Sequence, residues 1–307
     1  MSSQRKKRVL IIKFGGLGDF ILSLNAMNYI KNHHRNDELL ILTENSFRVL
    51  AEKSRLFNKI VTIERKIFYF LDKIQIKKKI ELESIDIIYD LQTSKRTSSY
   101  YKTFKSKSTQ WSGIVENEPF YHSNINRDNM HTHDRQKDQL LKANILEFKE
   151  PDYKWLFEKC KKNTFSRPYV LIVPGGSAKR KYKRIPKDFF IKICDEFSKK
   201  SITPILIGSD DELDLCETIS RKSINVINKC KKLDVLQIAS MSKKALWVIG
   251  NDTGLMHLCA LSGVKTIVLF TKFSNPSLCS PRGKKVKIIF YNNNEDELSD
   301  KIIKLIT

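Results

Sequence analysis

Short apolar runs alternate along this chain with longer stretches of helical periodicity, and that alternation leaves few folds open. Residues 9–13, 39–43, 60–63, 86–90 and 110–114 read as strands in the first half. After Arg167-Pro168 a second set follows at 169–173, 204–207, 245–250, 266–270 and 286–291. Between the first two strands Phe20, Ile21, Leu24, Met27 and Ile30 recur at helical spacing and bury one face of a helix. Helices are also predicted over 187–199, 212–221, 233–241 and 254–261. An acidic start followed by Leu298, Ile302, Ile303 and Leu305 predicts an amphipathic helix over 295–306. Strand and helix in turn are the signature of βαβ units, so the fold class is α/β. A length of 307 residues suits two domains. Two such sets joined near 150–168 predict two Rossmann-like domains, residues 1–155 and 156–307, facing each other across a cleft. The polar, aperiodic stretch 115–130 reads as a loop.

Several classes fall away. No apolar run approaches the roughly 18 residues of a membrane span. Residues 1–8 are basic like a signal n-region, but the apolar stretch after them ends at Lys13 and no small-residue cleavage site follows. A cytoplasmic chain with no transmembrane segment is expected. The six cysteines, Cys160, Cys194, Cys216, Cys230, Cys259 and Cys279, contain no CxxC pair and fit neither a zinc module nor a disulfide framework. The net charge of +22 is spread over both halves, with 27 basic against 18 acidic residues up to 150 and 29 against 16 beyond. Lysines number 42 and arginines 14, and base readers lean on arginine. A solvated lysine surface, or attraction to an anionic surface or substrate, accounts for this charge better than nucleic-acid binding.

Three strand ends carry residues suited to chemistry. Lys13-Phe14-Gly15-Gly16-Leu17-Gly18-Asp19 follows the first strand and opens a helix. Gly15, Gly16 and Gly18 allow a tight turn close to a ligand, but the motif is neither a P-loop nor a GxGxxG. Asp19 suits a helix N-cap, and equally a general base at the carboxyl edge of the sheet, where ligands of open α/β folds collect. Pro174-Gly175-Gly176-Ser177 precedes residues 179–184, five of which are basic. That combination suits a phosphate or diphosphate, although a charge run is also what a solvated loop looks like. Gly250-Asn251-Asp252-Thr253-Gly254-Leu255-Met256-His257 is again strand, tight loop and helix, presenting N–H groups that stabilise an anion. His257 on its own reads more readily as a structural support. His131 and His133 stand two residues apart and share no helix face, so no metal site is expected there.

Together these segments resemble the heptosyltransferase family, the ADP-heptose:lipopolysaccharide glycosyltransferases of family 9. Residues 9–19 are similar to its strand-plus-(S/G)xGD opening. Asp90-Leu91-Gln92 and residues 131–135 match weaker internal signatures. Residues 174–186 are similar to its PGxS…KRWP element, and Asp252-Thr253-Gly254-Leu255-Met256-His257 to its DTGxxH hallmark. The chain departs at Ile185, where the family usually has Trp, and at Thr271-Lys272-Phe273, in place of Gly-Pro-Thr.

The resemblance implies a GT-B fold with the acceptor on the first domain and a nucleotide-sugar donor on the second. It implies inverting, metal-independent transfer of heptose from ADP-heptose to a hydroxyl of the lipopolysaccharide inner core, without a cofactor. Asp19 would be the base. Ser177 and Lys183 would hold the donor diphosphate, with Asp252, Thr253, Gly254 and Leu255 cradling phosphates and sugar. His257 would support that loop, and Glu212 would meet the ribose. The acceptor would be an anionic glycolipid, reached from the cytoplasmic side with the enzyme peripheral at the inner membrane face. Two alternatives stay open: a family member using another nucleotide sugar, and a non-catalytic nucleotide or glycolipid binder.

Overall fold

The structure is a computed structural model and describes residues 5–104, 109–158, 167–176 and 178–306. The chain divides into two compact units, Met1–Asp152 and Tyr153–Thr307.

The first unit runs β1 (Arg8–Ile12), α1 (Leu17–His33), β2 (Glu38–Thr43), α2 (Arg48–Ser54), β3 (Lys59–Thr62), α3 (Tyr69–Lys79), β4 (Ile87–Asp90), α4 (Lys95–Ser98), α5 (Tyr101–Phe104), β5 (Gln110–Gly113), β6 (Phe120–Tyr121) and α6 (Thr132–Lys142). Its sheet has the order β3-β2-β1-β4-β5-β6. Every pairing in it is parallel. Strands β1 and β4 are buried on both faces, which explains why they read as unbroken apolar runs. Leu10, Ile12, Leu40, Leu42, Ile88, Phe104 and Trp111 form one core of this unit.

The second unit repeats the plan: α7 (Lys154–Phe157), β7 (Tyr169–Val173), α8 (Lys187–Lys199), β8 (Thr203–Leu206), α9 (Leu213–Lys222), β9 (Ile227–Asn228), α10 (Val235–Lys244), β10 (Trp247–Asn251), α11 (Gly254–Ala260), β11 (Lys265–Phe270), α12 (Pro276–Cys279), β12 (Val286–Phe290) and α13 (Glu295–Ile306). The parallel order is β12-β11-β10-β7-β8-β9, which read from its other edge is that of the first sheet. Helix α8 buries Phe189, Phe190, Ile193, Cys194 and Phe197, a stripe at helical spacing. Each such side chain contributes about 1.5–3 kcal/mol. Helix α10 starts on a reciprocal cap in which Asp234 and Gln237 each accept the other's backbone N–H at 2.8 Å.

Residues 115–130 are not simply a loop. Strand β6 lies within them, and His122 beyond it is buried against Asp138 of α6, Nε2 to Oδ2 2.7 Å. A two-residue strand has too few residues for any periodicity, so only its pairing partner reveals it. Cys194, Cys216, Cys230 and Cys259 are buried free thiols, and Cys160 lies outside the described residues. No described helix is long and apolar enough to cross a membrane.

Candidate active site

In each unit the strand order reverses direction between two central neighbours, β1 and β4 in the first and β7 and β10 in the second. Open parallel sheets bind ligands beyond the carboxyl ends of such a pair. The segments singled out around Asp19, Asp90, Lys183 and Asp252 lie at these four strand ends, and Glu212 follows the neighbouring strand β8.

In the first unit Gly15 turns with φ +105°, and a Cβ there would lie 3.0 Å from Asp19 Oδ2. Only glycine meets both constraints. The next residue, Gly16, caps α1, so Asp19 is not the N-cap. It stands in the first turn and its Oδ2 accepts the Gly16 N–H at 3.2 Å. The two preceding N–H groups are also taken: Phe14 N donates to Gln92 Oε1 at 3.2 Å and Gly15 N to Glu44 Oε2 at 3.2 Å. Three successive N–H groups thus point at protein oxygens. This glycine loop is no anion cradle, because its work is to hold the exposed Asp19 carboxylate in place. Gly18 completes the turn, half-buried.

Two charges lie beneath it. Lys13 is buried, with Nζ 3.4 Å from Leu91 O, and burial lowers its pKa to about 8 against the attraction of Asp19 and Asp90. Asp90 is fully buried. Its Oδ1 accepts the N–H groups of Gln92 (3.1 Å) and Thr93 (3.0 Å), while Oδ2 has no hydrogen-bond partner among the described residues. Burial raises its pKa to about 6. Helix α6 closes this end of the sheet. His131 caps it by accepting the His133 N–H on Nδ1 at 3.2 Å, and Asn25 of α1 lies 2.6 Å from His133 Nε2. Gln139 donates to Asp90 O at 3.1 Å, and burial lowers the pKa of Arg135.

In the second unit Asn251 ties three segments together, donating to Pro174 O at 2.6 Å and accepting from Ile185 N at 3.2 Å. Glu212 is buried and its carboxylate is shared. Oε1 accepts the Gly176 N–H at 3.2 Å and Oε2 those of Ser209, N at 2.7 Å and Oγ at 2.6 Å. Arg184 stands 3.7 Å from Glu212 and donates to Gly176 O at 2.5 Å. Beyond β10, Asp252 is partly buried, which raises its pKa against the opposing charges of Lys183 and Arg180. Thr253 caps α11 in extended conformation with no capping bond from its side chain, so Gly254 and Leu255 open the helix. His257 is buried one turn on. Ser177 lies outside the described residues.

The sequence thus brought Asp19 to one locus and Lys183, Glu212, Asp252, Thr253, Gly254, Leu255 and His257 to another. Lys13, Asp90, Asn251 and Arg184, which the sequence offered only as members of its motifs and without roles of their own, build the two loci from within. A lone charge at the buried end of an apolar run was the available signal for Lys13 and Asp90. Chemically, the first locus offers a fixed, solvent-exposed carboxylate, and the second offers cations beside a helix N-terminus. No set of three His, Cys, Asp or Glu side chains among the described residues is placed to ligate a metal.

Residues 74–303 match the family model of glycosyltransferase family 9 (heptosyltransferase). Lipooligosaccharide heptosyltransferase 2 of Campylobacter jejuni serotype O:2 is 24% identical over 279 residues, 85% of this chain and 80% of that protein. The Escherichia coli ADP-heptose lps heptosyltransferase II structure matches with TM-score 0.76 at 14% identity, over 97% of this chain and 98% of that one. A family 9 glycosyl transferase structure from Veillonella parvula matches with TM-score 0.76 at 17% identity, over 97% and 89%. These likenesses show the fold, GT-B.

Proposed function

From the premise that the chain belongs to glycosyltransferase family 9, we propose that it moves heptose from ADP-heptose to a hydroxyl of the lipopolysaccharide inner core, with inversion and without a metal. The observation that carries the reading is the division of labour between the two sheets. The first presents one exposed carboxylate held by Gly16, and the second presents Lys183 and Arg180 around the loop that opens α11.

In this reading the first unit takes the acceptor and the second the donor. Asp19 accepts the proton of the acceptor hydroxyl as its oxygen attacks the anomeric carbon from the face opposite the diphosphate, which inverts the configuration. A positioned base of this kind contributes roughly 10²–10⁴-fold. Charge develops on the departing ADP, and preorganised donors there stabilise the transition state more than the ground state. Lys183, Ser177 and the N–H groups of Thr253, Gly254 and Leu255 supply them. Glu212 holds Gly176 and Ser209 in place and meets a ribose hydroxyl with the lone pair left on Oε1. Asp252 orients the sugar, and His257 braces the loop from below. The basic surface suits an acceptor carrying carboxylates or phosphates, approached by a peripheral enzyme at the inner face of the membrane.

The test is transfer from ADP-heptose to a Kdo-bearing lipid A acceptor followed by mass spectrometry. A gain of one heptose with the wild type and none with Asp19→Ala is expected. Binding of ADP without transfer by the wild type would reject the enzyme and leave a binder. Tighter competition by another nucleoside diphosphate than by ADP would reject the donor.

A further inference from the structure

Four consecutive apolar residues stand in solvent on the first unit. Ile67 is 87% exposed, Phe68 63% and Phe70 58%, with Tyr69 between them. One turn along α3 from Phe70, Ile74 is exposed on the same face. Scattered exposed apolar side chains are ordinary, but a contiguous patch marks an interaction site.

Looseness does not explain the exposure, because the segment is pinned from beneath. Asp72 is fully buried and accepts the Lys66 N–H at 2.9 Å, Arg96 Nη1 at 2.7 Å and the Tyr100 hydroxyl. Arg96 also donates to Lys66 O at 2.8 Å, and its guanidinium lies 4.4 Å from the centre of the Tyr69 ring. The rings of Phe68 and Phe70 stack at 6.0 Å. A satisfied buried ion pair therefore holds aromatic side chains outward. It also ties them to the segment that leaves β4 directly after Asp90.

The position is informative. All strands of this sheet are parallel, so the β3–α3 connection leaves the same edge as the β1–α1 turn that precedes Asp19 and the end of β4 at Asp90. The charge around the patch is predominantly basic, with Arg65 paired to Glu44 and Lys66 to Glu64, so the lysines of α3 carry the excess. Residues 65–79 hold Arg65, Lys66, Lys73, Lys77, Lys78 and Lys79 against Asp72 alone, and Asp72 is already paired. Two copies of such a rim repel each other. Aromatic residues flanked by lysines suit a bilayer interface, where rings enter the acyl boundary and ammonium groups meet anionic headgroups.

We propose that residues 67–74 are a membrane-docking patch that seats the acceptor unit on an anionic lipid surface. The inference rests on the reading above only in taking the acceptor to be lipid-anchored.

The experiment compares the full-length wild type with the triple variant Ile67→Ser/Phe68→Ser/Phe70→Ser. Sedimentation with phosphatidylethanolamine–phosphatidylglycerol vesicles is measured, together with transfer to acceptor in those vesicles and to a water-soluble, deacylated acceptor. The wild type is expected to bind these vesicles and to release from phosphatidylcholine vesicles. The triple variant is expected to bind about 100-fold more weakly. Lys77→Gln/Lys78→Gln is expected to lose about fivefold per charge. Transfer in vesicles should fall with binding, while transfer to the soluble acceptor stays unchanged. Equal binding by wild type and triple variant, or none by the wild type, overturns docking. Parallel loss of soluble-acceptor transfer also overturns it and makes the patch part of the acceptor subsite. A wild-type dimer that the triple variant abolishes assigns the face to a second copy. Patch-dependent binding with no transfer to either acceptor keeps the docking patch and rejects the proposed reaction.

Discussion

A Cβ on Gly175 would lie 1.9 Å from Cγ of Glu212, so the space of one missing methyl is where the Glu212 side chain runs. Substituting Gly175→Ala therefore evicts Glu212 and unties Gly176, Ser209 and Arg184 together. Forced overpacking of this kind costs about 1–3 kcal/mol. We expect a lower melting temperature and ADP affinity reduced about tenfold, measured by thermal denaturation and calorimetric titration. Adding Glu212→Ala to Gly175→Ala should cost less than the sum of the two, because the clash disappears with its partner. Additive costs would mean that the two residues do not meet.

Asp19→Asn isolates the base. Asparagine still accepts the Gly16 N–H, so the loop keeps its shape while the proton acceptor is lost. The expected result is a fall of roughly 10²–10⁴-fold in kcat with ADP affinity unchanged. Gly15→Ala should damage kcat as well, because its φ of +105° and the 3.0 Å approach to Asp19 Oδ2 both exclude a side chain. A variant Asp19→Asn with wild-type kcat would remove Asp19 from the chemistry.

Lys13 and Asp90 give stability an unusual dependence on pH. The pKa of Asp90 is raised to about 6, so its contribution is full below the ordinary carboxylate range and is lost as pH rises through about 6. The pKa of Lys13 is lowered to about 8, so its contribution is full above the ordinary lysine value and is lost as pH falls through about 8. The two together leave the site least stable between about 6 and 8, where both groups are ionised. Urea unfolding across a pH series should show the loss between pH 4 and 6 vanish in Asp90→Asn, and the gain between pH 8 and 10 vanish in Lys13→Met. Unchanged slopes in these variants would show that neither group titrates in these windows.

The parts of this molecule that were legible are those with local causes. Strand β7 matches the predicted residues 169–173 end to end, because Pro168 and Pro174 bound its buried apolar run. Helices α8 and α13 likewise match their apolar stripes. Strands β6 and β9 are two residues long and owe their existence to β5 and β8. Asp19 was legible because glycines fix its loop, but its place in the first turn rather than at the cap was not. The partners of Glu212 were not legible either, since Gly176 is 36 residues away. The patch at Ile67 to Phe70 was the hardest to see. An apolar run looks like core until the structure shows that nothing covers it.

Lys183 separates two ways of carrying the departing diphosphate. It stands with Arg180 beside Asp252, where its charge opposes the burial that raises the Asp252 pKa. If protein cations and the α11 N–H groups do this work, Lys183→Ala removes stabilisation that grows in the transition state. It should then lower kcat and raise the donor KM together, with a combined loss on the order of 10²–10³ in kcat/KM. Lys183→Arg restores the charge but not the compact ammonium, so recovery should be partial. In the same assay a chelator should leave the wild-type rate unchanged. A metal bridging the diphosphate would give the opposite pair of results: a mild Lys183→Ala variant and a chelator that stops turnover until divalent cation is returned.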